Sequence, residues 1–220
     1  MIERKSKIKG ILAKIRADIQ ADVIPCMNAN NITGGYFSVP LIIFSFIEYL
    51  GILWKNPVEP DKRNKNRRKN YYSNSHFPDA AIPYIRKYLG KVRPEYKKYG
   101  GLLYGLYRHS LVHHYKPNAI ILNNKEKISW GILKNSKSNH LSCAKEKYSA
   151  PNGKLIGHTI LTINLEVFYQ DLMKSIDEFE KDVLKYSSVC SRVLRADKKL
   201  NCSHPENSLQ KYIKKDLKNI

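Results

Sequence analysis

The chain has 220 residues, with 39 Lys plus Arg against 19 Asp plus Glu, a formal net charge of +20, and 42% hydrophobic residues. That much apolar material can form a core, which excludes wholesale disorder, and the length fits one domain or one domain with insertions. Four cysteines are too few for a disulfide scaffold, which fits a reducing, cytoplasmic setting. The basic start, residues 1–9, leads into an amphipathic stretch and not an unbroken apolar one, so no secretory signal is read there.

The charge points to a polyanionic partner, because clustered Lys and Arg bind phosphates and release counterions. Composition offers a second source for it. Of the basic residues 29 are Lys and 10 Arg, and Asn and Ile are also abundant, a bias that an AT-rich genome produces. Net charge informs on solubility and nonspecific binding, so it names no function by itself.

In chain order, Ile8, Ile11, Leu12, Ile15, Ile19 and Val23 recur at spacings of three and four and predict an amphipathic helix that Pro25 ends. Residues 28–35 (NANNITGG) read as a loop. Residues 36–54 (YFSVPLIIFSFIEYLGILW) are nearly long enough for a membrane span. Glu48 near the centre argues against one, since a lone carboxylate in lipid is costly, whereas inside a bundle it can pair with a cation. A buried central helix, with Pro40 in its first turn, is the reading.

Residues 56–75 switch to a solvated basic loop, NPVEPDKRNKNRRKNYYSNS. Lys62, Arg63, Lys65, Arg67, Arg68 and Lys69, followed by Tyr71 and Tyr72, suit an RNA backbone and a stacked base; a charge run that only keeps the surface soluble is the other reading. Helix returns over 79–89, kinked or restarted at Pro83, and over 94–115, closed by Pro117. Short β-prone runs at 119–122 and 128–133 predict a hairpin, and 155–165 a third strand running into a helix over 165–186 that Asn164 caps. From Ser187 the chain reads as a polar, Lys-rich tail in which Tyr212, Ile213 and Leu217 add a short terminal helix. The fold class is therefore mainly α, a helical bundle with a small β-hairpin or antiparallel insertion in the second half. Its domain spans 1–190, with insertions at 56–75 and 119–163, and the tail is 191–220.

The segment with chemistry is 102–115, LLYGLYRHSLVHHY. On an α-helix Leu102, Leu106, His109 and His113 share one face, and Arg108 swings toward it. Arg holds a phosphate with a planar fork and His moves a proton near neutrality, so together they suit RNA transesterification without a metal. A His pair four apart also fits core or cap histidines, or zinc.

Arg108-His109-Ser110-Leu111-Val112-His113 resembles the R-[N/D/H]-x-x-x-H signature of the HEPN superfamily, helical bundles that include metal-independent ribonucleases of toxin–antitoxin and defence systems. The wider phrase LYGLYRHSLVHHYKP and the earlier FSFIEYLG are similar to uncharacterised HEPN-like bacterial proteins, over about 36–115. The resemblance implies a catalytic site of Arg108 on the phosphate, His113 as proton-transfer residue and His109 orienting the group. It also implies RNA as partner, a homodimer with a composite cleft, and an antitoxin-type protein partner. Glu48, if it is buried, needs Arg108 or His109 as its counter-ion; a Glu48–Arg108 pair would equally lock the bundle and withhold the Arg. His114 and Tyr115 complete the supporting set. Some members have lost activity and serve as binding modules, and the six-residue motif does not separate them.

No cofactor is called for and no metal site is assigned. His140-x-x-Cys143 and Cys202-x-His204 lack the usual knuckle spacing. P-loop, dinucleotide and α/β-hydrolase motifs are absent.

Overall fold

A computed structural model describes residues 2–28, 36–55, 77–114, 119–121, 127–134, 140–149 and 155–200. The first helix, α1 (Ile2–Asn28), buries the predicted stripe of Ile8, Leu12, Ile15, Ile19 and Val23. Pro25 does not end it. The helix runs three residues further because so near its end a proline costs only the bond to the Ala21 carbonyl, and its ring faces outward.

The apolar segment forms α2 (Ser38–Lys55), which among the described residues is long and apolar enough to cross a membrane. Here it is the central helix of the bundle, with Ile43, Phe44, Ile47, Leu50 and Leu53 fully enclosed. Gly51 lets the next helix approach: a Cβ there would lie 2.6 Å from the Ala80 carbonyl oxygen. That next helix is a continuous run of α3 (Phe77–Tyr84), a π-helical turn (Ile85–Leu89) and α4 (Gly90–Val92). Pro83 lies inside it and the widened turn follows, so the predicted interruption takes the form of a π-turn and not a break.

A second continuous run holds α5 (Glu95–Leu103), a π-turn (Tyr104–His109) and α6 (Ser110–His114). The long helix α7 (Leu165–Lys185) begins where predicted, with the Asn164 side chain accepting the Val167 N–H at 3.2 Å, and buries Phe168, Leu172, Ile176, Phe179 and Val183. Arg16 of α1 bonds Asp177 and Glu180 of α7, each at 2.7 Å. The expectation of a polar tail from Ser187 is corrected by α8 (Ser187–Leu200), which buries Val189, Cys190, Val193 and Ala196. Its Lys and Arg residues interleave with that stripe and mask it when composition is averaged.

The β insertion has four strands, β1 (Ile120–Ile121), β2 (Lys127–Leu133), β3 (Ser142–Ser149) and β4 (Leu155–Asn164), in the order β1-β2-β4-β3. The mainly helical architecture with a small sheet late in the chain is as expected, and β1 with β2 forms the predicted hairpin. Two features differ. The sheet is mixed, because β2 and β4 run parallel from Lys127 opposite His158 to Leu133 opposite Asn164. And β3, which the sequence did not announce, is an edge strand whose residues 143–147 are exposed, so it needs no apolar alternation.

Candidate functional site

The candidate motif spans the end of the second π-turn, with Arg108 and His109, and the start of α6, and its Arg108 faces α2. Arg108 Nη2 donates to Glu48 Oε2 at 2.8 Å, and the Tyr104 hydroxyl donates to Glu48 Oε1 at 2.5 Å. The Glu48 side chain is 7% exposed and that of Arg108 15%. Both carboxylate oxygens are thus engaged, which is what a carboxylate so deep in a bundle requires. Burial first, and then the bond and charge of Glu48, push the Tyr104 hydroxyl well above its ordinary pKa, so it keeps its proton and remains the donor. Of the two counter-ions expected for Glu48, the structure selects Arg108. The Arg108 Nε is buried without a hydrogen-bond partner among the described residues.

The widened turn changes which residues share a face. Leu106 is enclosed as expected, but His109 is exposed, and the buried row continues through Tyr107, Ser110 and Leu111. A π-turn advances the chain by less than the α-helical step per residue, so faces counted at 3.6 residues per turn fall out of phase beyond it. Ser110 helps hold the turn by donating its hydroxyl to the Gly105 carbonyl, five residues back, at 3.2 Å. Tyr107 ties it to the sheet. Its hydroxyl lies 2.7 Å from the Leu161 carbonyl oxygen and 2.8 Å from that of Gly131, and accepts the Gly131 N–H at 3.3 Å.

Of the sequence-predicted residues, Arg108 and Glu48 are brought together, with His109 adjacent in the chain and at the surface. The backbones of His113 and His114 end α6. Tyr115 and the loop residues Lys62, Arg63, Lys65, Arg67, Arg68, Lys69, Tyr71 and Tyr72 lie outside the described residues, as do the predicted terminal-helix residues Tyr212, Ile213 and Leu217.

A second polar group was missed from sequence. Arg93 Nε donates to Asp171 Oδ2 at 2.9 Å. The Tyr96 hydroxyl lies 2.7 Å from His140 Nε2, while the Asn164 N–H donates to His140 Nδ1 at 3.0 Å. With Nδ1 accepting, the ring proton sits on Nε2 and points at the Tyr96 oxygen. Burial, reinforced by the Arg93 charge, lowers the His140 pKa to about 3, so the ring is neutral at physiological pH. Leu141 has φ 56°, an uncommon backbone for a side-chain-bearing residue; it lets His140 enter this group while Leu141 enters the core. With both nitrogens engaged, His140 is no zinc ligand, and no cluster of three or more metal-binding side chains occurs among the described residues.

Comparison of the chain with family models, with curated proteins and with solved structures finds no match.

Proposed function

We propose that this chain is a HEPN-like, cytoplasmic endoribonuclease that cuts RNA by transesterification without a metal. The observation that carries the reading is the Arg108 guanidinium, anchored to Glu48 through Nη2 at the edge of the bundle with His109 exposed beside it. An arginine held by one nitrogen is preorganised, and the N–H groups of its other terminal nitrogen serve a phosphate. In the proposed reaction His113 accepts the 2′-hydroxyl proton as the 2′-oxygen attacks phosphorus. Arg108 stabilises the charge on the phosphorane, and the 5′-oxygen leaves with a proton, giving a 2′,3′-cyclic phosphate. Glu48 acts as a positioning residue, and Tyr104 keeps its second oxygen occupied. A homodimer and an antitoxin-type partner belong to the same reading.

The test is RNA incubated with the protein in EDTA, beside His113→Ala and Arg108→Lys. Cleavage should persist in EDTA, fall at least 100-fold in His113→Ala and end in a cyclic phosphate. Equal cleavage by wild type and both variants would assign the activity to a contaminant.

A second reading, a noncatalytic RNA- or protein-binding module, is favoured by the same ion pair, since Glu48 already neutralises Arg108. It predicts no cleavage, together with salt-sensitive RNA binding that His113→Ala leaves intact.

A further inference from the structure

The β insertion stands outside the helical bundle that the HEPN resemblance describes, yet two contacts run from it to the π-turn that carries Arg108. The first is the Tyr107 hydroxyl, which reaches both strands of the parallel pair. It lies 2.7 Å from the Leu161 carbonyl oxygen of β4 and 2.8 Å from that of Gly131 of β2, and accepts the Gly131 N–H at 3.3 Å. These groups lie where Gly131 stands opposite Thr162. Tyr107 is fully enclosed, and burial pushes its hydroxyl well above the ordinary tyrosine range, so it keeps the proton it donates. The second contact is Ile120 of β1: a Cβ on Gly105, within the turn, would lie 3.3 Å from its Cδ1.

The sheet is fixed to the bundle without Tyr107. β4 runs directly into α7, which Asn164 caps. Trp130 of β2 meets Phe37, just before α2, edge to face with ring centroids 5.7 Å apart. His140, at the entry to β3, bonds Tyr96 of α5. A platform held at these three points imposes a position on what bonds to it, and Tyr107 is the residue next to Arg108 in the chain.

The turn needs such support. A π-turn is a rare departure from the α-helical ladder, found mostly at functional sites, and the contacts around it keep it in place. Tyr107 draws it toward the sheet, Tyr104 and Arg108 draw it toward Glu48 of α2, and Ser110 bonds back to Gly105 within it. Successive helical residues point roughly 100° apart, so one turn can hold Tyr107 on the sheet and Arg108 on α2 at once.

We propose that Tyr107 is a positioning residue for Arg108, and that the β insertion is the fixed platform from which it acts. The hydroxyl holds the widened turn, and with it the guanidinium on Glu48. The anchoring is a property of the fold; its catalytic consequence rests on the reading of Arg108 as the phosphate-binding group.

Tyr107→Phe removes one oxygen and keeps the ring. Tyr84→Phe is its control, since Tyr84 is equally buried and its hydroxyl meets Ser175 of α7 at 3.4 Å, away from the turn. In hydrogen–deuterium exchange of the full chain, peptides across 104–114 should exchange at least about tenfold faster in Tyr107→Phe, with α1 peptides and the control unchanged. The Arg108 Nε–H, buried in the wild type, should lose its slow exchange in a nitrogen-15 spectrum. In the EDTA cleavage assay kcat should fall at least about tenfold while KM moves less than about threefold, because a displaced guanidinium is missed chiefly in the transition state. Unchanged exchange across 104–114 in Tyr107→Phe would overturn the proposal. So would acceleration shared by α1 or by Tyr84→Phe, which would make the hydroxyl a source of general stability, and so would a kcat indifferent to a loosened turn. The expected exchange in a protein that cuts no RNA would support the anchoring and count against the ribonuclease reading alone.

Discussion

Among the described residues two polar groups contain an arginine, a carboxylate and a tyrosine, and they differ in where the histidine sits. In the first, Arg108 and Tyr104 grip the two oxygens of Glu48, and the neighbouring His109 is at the surface. In the second, Arg93 bonds Asp171, and His140 is bonded to Tyr96 with its side chain 3% exposed. The second group ties Arg93 to Asp171 and Tyr96 to a buried His140, and joins α5, α7 and the entry to β3. The first leaves an imidazole at the surface next to a fixed guanidinium. Similar residue types thus serve cohesion where the histidine is drawn into the interior, and stand at the surface where it is not.

The comparison can be broken most forcefully at the carboxylates. Glu48→Ala strands Arg108 in the bundle and should cost about 3–5 kcal/mol in urea denaturation, whereas Glu48→Leu with Arg108→Leu should recover most of the loss. A double variant no more stable than the single would mean that the pair contributes more than charge compensation. Next comes acid. The unfolded His140 takes up a proton below its ordinary pKa of 6.5, but the folded ring does so only near about 3. Stability therefore falls as pH drops through that window, by up to about 1.4 kcal/mol per pH unit from this group. His140→Gln should flatten that part of the profile in thermal melts from pH 7 to 4, and an unchanged slope would remove His140 as its source.

The tyrosines sharpen the contrast. Tyr96→Phe removes the bond of a fully buried hydroxyl to His140 and should cost about 2–3 kcal/mol; Tyr104→Phe, which leaves Glu48 held by Arg108, should cost about 1–2 kcal/mol. Equal losses in chemical denaturation would undo the claim that the first group is less fully internalised. The smallest effect belongs to His109→Ala, exposed, which should shift stability by less than about 0.5 kcal/mol. A larger shift would place His109 with His140, as a structural histidine.

Much of the fold was legible because burial imposes a period. The stripes of α1 and α7 stand at three-and-four spacing, and Asn164 caps α7 by an interaction confined to four residues. Glu48 announced itself as a charge in the middle of an apolar run. Pro25 was misread because its place near the helix end matters more than its presence, α8 because its basic residues mask a three-and-four stripe, and β3 because an exposed edge strand carries no apolar alternation. The position of His109 is a subtler case, since a single π-turn upsets a helical count that is correct up to that point.

The sequence by itself determined that Glu48 needs a cation and that Arg108, His109 and His113 stand close together, because these follow from the cost of burying charge and from chain proximity. Only the tertiary structure decided that Arg108 supplies the cation, that His109 turns outward, and that Tyr96 bonds a buried His140. Those choices join residues 44 and 60 positions apart, and such pairings are set by how helices and strands pack, which leaves no local pattern to read.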